Sequence, residues 1–201
     1  MELGIRLHDV NNAAPEEEKT LEARARKAKE EGFLCVHLAL SKCVAGTVFD
    51  ADALTEGLGA YLKRLFAKEE LDIAVLGCYL NLAHPAPEKL KEIQSRYFGS
   101  LRVASLAGAG MVGTETGCPN AEYKTDPNTH SGEALRQLIK NLEPVAECAE
   151  HYGVTLAIEP VWSHIVYDAD RALEVLRSIG SPNLRIIFDP VNLLSAESLE
   201  D

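Results

Sequence analysis

Short apolar runs alternate with helical patterns along the whole chain. The runs of strand length cover residues 3–7, 33–40, 73–79, 101–106, 154–158 and 184–188. Between them, residues 16–31, 51–70, 87–98, 131–152 and 168–179 carry apolar side chains at spacings of three and four, the period of an amphipathic helix. The punctuation agrees. Asn128 to Ser131 and Asp168 suit helix N-caps, Pro87 suits a first helical turn, and Gly32, Gly153 and Gly180 stand where helices should end. The pattern is a βα repeat. Its strands show almost no polar alternation, so both their faces should be buried in a parallel sheet covered by helices, either a barrel or a doubly wound sheet.

Two features favour the barrel. No strand leads into a glycine-rich dinucleotide fingerprint, and polar residues gather just beyond nearly every strand: His8 and Asp9, Ser41, Asn81 and His84, Glu115, Glu159, and Asp189 with Asn192. In a (β/α)₈ barrel those ends converge on one mouth; in an open sheet they form a line. The expected fold is an α/β barrel of the TIM type, a single domain over residues 1–201 with about six of the eight βα units. A complete barrel takes about 250 residues, whereas residues 195–201 fall inside what should be the sixth helix. The C-terminal strands are expected to be missing, which would leave open sheet edges in need of a partner. The longest connection, from Ala107 to His130, is glycine-rich and polar, and reads as a substrate loop or lid.

Composition narrows the function. The chain has 201 residues, 46% of them hydrophobic and 25% charged, as an ordinary globular domain does. Its formal net charge of −11 opposes a phosphate backbone, and no Lys/Arg cluster offers a track, so no nucleic-acid partner is expected. No run approaches the roughly 18 apolar residues of a spanning helix, and the first residues lack the regions of a signal peptide. No membrane partner is expected, and the location reads as cytoplasmic. Cys35, Cys43, Cys78, Cys118 and Cys148 are widely spaced with no C-x-x-C pair, which predicts reduced thiols.

The candidate chemistry lies in the second half. Val154-Thr-Leu-Ala-Ile-Glu159-Pro160 and Leu184-Arg-Ile-Ile-Phe-Asp189-Pro190 are apolar runs that each close on an acid and a proline. A carboxylate at the end of such a strand loses several kcal/mol of hydration unless something binds it. The two acids are one βα unit apart, so in a barrel they project from adjacent strands into the same mouth. Hard divalent cations want several oxygen ligands, and two carboxylates with water and substrate oxygens make a start. Each acid could instead cap the helix that follows it or meet a lysine.

These residues resemble the sugar-phosphate isomerase/epimerase family with the xylose isomerase-like TIM barrel. Ketose 3-epimerases, inositol-catabolism enzymes and endonuclease IV-type AP endonucleases belong to the same group. The resemblance rests on Leu3-Gly-Ile-Arg, Leu76-Gly-Cys-Tyr-Leu-Asn81-Leu-Ala-His84-Pro, Val112-Gly-Thr-Glu115-Thr-Gly, Ile158-Glu159-Pro and Phe188-Asp189-Pro-Val-Asn192. It implies a divalent metal (Mn, Mg, Co or Zn) held by a Glu ending the fifth strand, an Asp ending the sixth, a His from the seventh and a Glu from the eighth. Glu159 and Asp189 match the first two; the other two have no counterpart here. The implied activity is isomerisation or epimerisation of a sugar, sugar phosphate or related ketose through an enediolate. Glu159 would be both metal ligand and catalytic base, and Asp189 a ligand only. Family members commonly carry a substrate-contacting His three residues after that Asp, where this chain has Asn192.

Further substrate contacts are expected from His8, Asn81, Glu115 and His164. His8 and His84 each follow a strand, although His84 precedes a proline and could only shape a turn. His164, five residues past Glu159, could fold over a substrate or stand exposed on its loop; Glu115 could reach the mouth from the long loop or remain solvated. His37, inside the second run, reads as a core or barrel-interior residue. The expected partner is a small-molecule sugar, with homo-oligomers usual among relatives. Two other readings compete: a catalytically inactive, carbohydrate-binding fragment, and an endonuclease IV-like repair enzyme that the charge opposes.

Overall fold

The computed structural model describes residues 2–11, 13, 15, 19–44 and 46–195. Six strands form one sheet in chain order: β1 (Gly4–Arg6), β2 (Cys35–Leu38), β3 (Asp72–Gly77), β4 (Met111–Glu115), β5 (Thr155–Glu159) and β6 (Leu184–Ile186). All five neighbouring pairs are parallel. The connections carry α1 (Leu21–Glu30), the single turn α2 (Leu40–Cys43), α3 (Glu56–Lys68), α4 (Pro87–Ala107), α5 (Gly132–Tyr152) and α6 (Ala169–Ile179). Side-chain oxygens of Thr20, Thr55, Ser131 and Asp168 accept from main-chain N–H groups in the first turns of α1, α3, α5 and α6, which satisfies donors that a helix start leaves open. Residues 16–18 and 196–201, where the pattern predicts helix, lie outside the described residues.

One strand is not where its apolar run predicts. Residues 101–106 belong to α4, and β4 is Met111–Glu115, inside the stretch that reads as loop. The reason is in the packing. Ile93, Tyr97, Leu101, Ala104 and Ala107 form one buried stripe at helical spacing, so the helix that starts at Pro87 runs on through the apolar run. β4, by contrast, contains a glycine and two polar residues. A Cβ at Gly113 would sit 2.7 Å from Val75 Cγ1 and 2.9 Å from Ile187 Cδ1. Glycine is needed there because side chains from β3 and from beyond β6 close over β4.

That contact also shows that the sheet curls. Ile187 follows β6 yet meets β4, two strands away. On the helix-facing side, Val36, Leu38, Leu76, Val112, Leu156 and Ile158 are fully buried against Leu62, Leu101, Leu138 and Leu142 of the helices. Each such side chain contributes about 1.5–3 kcal/mol on burial, so this layer is the main source of stability. The concave side is left for a pocket. Among the described residues no helix is long and apolar enough to cross a membrane.

Candidate active site

Parallel register sets two acids side by side. Glu115 ends β4, Glu159 ends β5, and they are direct partners across the ladder, as Gly113 and Ala157 are two residues earlier. Residues two apart share a face and neighbouring strands lie about 4.8 Å apart, so both carboxylates leave the concave face together. Asp189 follows two residues after Ile187, whose N–H donates to the Ile158 carbonyl at 2.9 Å. All three acids line a single cavity of about 810 Å³.

Glu159 is only 9% exposed. Asn192 Nδ2 donates to its Oε1 at 2.7 Å. Asn192 is aimed by Asp189, whose Oδ1 accepts from the Val191 N–H at 2.9 Å and the Asn192 N–H at 3.4 Å. The Asn192 carbonyl in turn accepts from Trp162 N at 2.8 Å, which ties the segment after β6 to the loop after β5. Asp189 therefore heads a turn, as an isolated acid would, and also lines the cavity. Glu115 is held from the other side by the Tyr123 hydroxyl, which donates to its Oε2 at 3.0 Å.

Burial pushes the Glu159 carboxyl above the usual carboxylate range; the Asn192 donor opposes this, and the charges of Glu115 and Asp189 add to it. Since the folded group holds its proton more tightly than the unfolded one, it withdraws stability as pH rises from the ordinary carboxylate range through the raised value. The two neighbours of Glu159 act with opposite sign. In the metal-free protein, Glu115→Gln should lower the Glu159 pKa and Asn192→Leu should raise it, with the side-chain carboxyl followed by carbon-13 NMR. A common direction for both variants would contradict this account.

The opposite wall is different. Arg6 pairs in register with His37 of β2, and both line the cavity with His8, Lys42 and Tyr79. Tyr79 Oη and His37 Nε2 are hydrogen-bonded at 3.2 Å. Burial, helped by the charges of Lys42 and Arg6 among its neighbours, drives His37 down to about 4, so it is neutral at pH 7. A Cβ at Gly77 would fall 2.7 Å from His37 Nε2 and from Tyr79 Cε2, so that glycine makes room for the pair.

The structure brings His8, Asn81, Glu115, Glu159, Asp189 and Asn192 to one cavity. Glu115 reaches it as the last residue of a strand, not from a loop. Asn81 lines it, but its amide is engaged in the protein: Nδ2 donates to the Cys118 and Asn120 carbonyls at 2.9 and 2.8 Å, and Oδ1 accepts from Ala83 N at 3.1 Å. His164 is not among the lining residues; it is 8% exposed and packed edge-on against the Tyr123 ring at 5.2 Å. Its Nδ1 is 3.9 Å from Glu115 Oε2. His84 Nδ1 accepts from Ala86 N at 3.1 Å and shapes the turn before α4. Arg6, His37, Lys42, Tyr79 and Tyr123 were not expected at the site. For Tyr79 a cue existed, a phenol at the end of an apolar run beside Gly77; Lys42 and Tyr123 carry none.

The donor chemistry bears on a metal. Three carboxylates share a cavity, and two of them raise the pKa of the third, a surplus of negative charge that a cation would relieve. Oxygen donors suit a hard divalent ion. Among the described residues, however, no three His, Cys, Asp or Glu side chains stand close enough to hold an ion in common. Glu159 and Asp189 supply oxygen donors to the same cavity but do not by themselves make a complete ligand set.

Fold and pocket together define a parallel α/β protein of the barrel type with its site at the C-terminal ends of the strands. Residues 25–201 match the family described as xylose isomerase-like TIM barrel, and the chain belongs to that family. No curated protein matches it. Among solved structures it is similar to an IolI protein with a bound zinc atom, at a TM-score of 0.71 and 16% identity, covering 100% of this chain and 68% of that one. A D-tagatose 3-epimerase-like protein gives a TM-score of 0.71 and 20% identity over 96% of this chain and 66% of its own. The 3-keto-D-glucoside 4-epimerase YcjR from E. coli gives 0.66 and 13%, over 86% and 63%. At these identities the likeness is one of fold, and the chain spans about two thirds of the length of these structures.

Proposed function

We propose that this pocket serves a sugar-modifying enzyme, an isomerase or epimerase of a ketose or related ketone, with Glu159 as the proton-abstracting base. The observation that carries the reading is the state of Glu159: a buried carboxylate in a cavity, with its pKa raised and one oxygen engaged by Asn192. Oε2 is left to take the proton from the carbon beside the substrate carbonyl. A raised pKa makes the carboxylate a stronger base than one in water, and the same group as an acid can return the proton. Return of the proton by Glu159 to the neighbouring carbon completes an isomerisation; an epimerisation needs a second acid on the opposite face of the substrate, which Glu159 does not supply. Glu115, held by Tyr123, stands beside Glu159 and adds to the rise of its pKa.

A divalent ion (Mn, Mg, Co or Zn) held by Glu159 and Asp189 would supply positive charge to the substrate oxygens as negative charge develops there. The similar fold of an IolI protein with bound zinc and of two epimerase-type proteins supports this reading.

The test is solvent deuterium entering a panel of ketoses, followed by proton NMR, with the purified chain and added Mn²⁺. Deuterium should enter one carbon beside the carbonyl, and Glu159→Gln should slow its entry by a factor of about 10² or more. Exchange that persists in Glu159→Gln would overturn the assignment of the base. Sugar binding without any exchange would favour the non-catalytic, carbohydrate-binding reading instead.

A further inference from the structure

The cavity is divided by charge, and strand order makes the division. Glu115 and Glu159 end β4 and β5 and Asp189 follows β6, whereas Arg6 and His37 lie on β1 and β2, His8 in the turn after β1 and Lys42 on α2. We propose that the β1–β2 wall is an anion subsite, so that the substrate is a ketose or related ketone carrying a phosphate or carboxylate group. That group is seated against Lys42 and Arg6, and the carbonyl end faces Glu159. The inference rests on the reading of Glu159 as the reacting end.

Four observations support the subsite. First, the cations do not serve the acids. Charges that act on Glu159 are those of Glu115 and Asp189, whereas Lys42 and Arg6 act on His8 and His37. Second, Tyr79 marks the boundary between the two fields. Burial dominates its raised pKa, but Glu159 and Glu115 push it up while Arg6 pulls it down. Third, the positive wall is backed from below. Arg24, 3% exposed, points its guanidinium at the carbonyls of Leu7, His8 and Val10, directly under the turn that carries His8.

Fourth, the cations keep donors for a ligand. Among the described residues, Asp9 is the acid paired with this wall: its Oδ2 accepts from Arg6 Nε at 2.7 Å and its Oδ1 lies 3.8 Å from His8 Nε2. Arg6 engages Asp9 through Nε, and a guanidinium has four further N–H donors on its terminal nitrogens. Lys42 sits over the Tyr79 ring at 5.8 Å, and its ammonium has three donors. A neutral sugar offers hydroxyls that need no cation. In a chain of net charge −11, cations turned into a cavity are placed for an anion.

The experiment compares three ligands on the whole chain without metal, by isothermal titration: D-fructose, D-fructose 6-phosphate and D-fructuronate. A charged sugar should bind about tenfold or more tighter than fructose, and Lys42→Met should bring charged and neutral sugars to similar affinity. The favoured anion distinguishes phosphate from carboxylate. Lys42 is exposed, so its substitution is compatible with folding. Equal affinity for all three, a preference that survives in Lys42→Met, or no measurable binding of either charged sugar at millimolar concentration would overturn the subsite. The same titration on Glu159→Gln separates the two ideas. A preference preserved in Glu159→Gln, together with no deuterium exchange by the unsubstituted chain, would remove the catalytic reading and leave the subsite; exchange by the unsubstituted chain on neutral ketoses with no preference would do the reverse.

Discussion

Arg24→Ala should lower stability by about 3 kcal/mol, a drop in Tm of roughly 10 °C for a chain of this size, measured by thermal or urea unfolding. Arg24 sits on the buried face of α1, and its Nη1 donates to the carbonyls of Leu7 at 3.3 Å, His8 at 2.8 Å and Val10, while its Nε reaches Lys19 O at 3.3 Å. The turn after β1 has left the sheet ladder, so its carbonyls have lost their strand partners. Truncation to alanine takes the donor from the His8 and Val10 carbonyls, leaves the Leu7 carbonyl only the Val10 N–H, and opens a cavity as well. Arg24→Lys, which keeps three donors but not the planar fork, should recover part of the loss. A change within 0.5 kcal/mol for Arg24→Ala would show that the turn holds itself. Because this turn carries His8 and adjoins Arg6, the same substitution should loosen the basic wall of the pocket.

Gly117→Ala should cost about 3 kcal/mol and disorder the loop between β4 and α5. The backbone here has φ +72, where an L side chain is strained by about 1–2 kcal/mol. Sterics add to this: an added Cβ would run into Asn81 Oδ1, and Asn81 holds this loop through the Cys118 and Asn120 carbonyls. Gly153→Ala is the internal control. It has φ +64 but meets nothing within 4 Å, so it should show the conformational cost alone, about 1–2 kcal/mol. Equal losses at the two positions would mean that Asn81 moves aside freely. The loop brings Tyr123 to Glu115, so hydrogen exchange should rise across residues 116–131 in Gly117→Ala and leave α6 unchanged.

Much of this architecture could be read without coordinates. Apolar periods of two kinds alternate, and helix starts at Ser131 and Asp168 are capped as their chemistry predicts. The error at the fourth strand has a specific cause. Four apolar residues of a long helix, within residues 101–106, can imitate a strand over a short window, and a strand squeezed beneath Val75 and Ile187 must give up side-chain bulk and so looks like a loop. Asp189 and Glu159 were legible because an acid ending an apolar run is costly in any fold. The placement of His164 is not legible in the same way: its neighbours in sequence are loop residues, but Tyr123, forty-one positions earlier, covers it.

The sequence by itself determined the alternation of strand and helix and the two acids that close consecutive apolar runs, Glu159 at the end of β5 and Asp189 three residues beyond β6, since both follow from local period and local polarity. Only the tertiary structure decided that Glu115 is the register partner of Glu159, that Asn192 turns back onto that carboxylate, and that Arg6, His37 and Lys42 form a cationic wall across from them. Those placements depend on how six parallel strands align and how the sheet curls. Packing between residues distant in sequence sets both, and no local pattern encodes it.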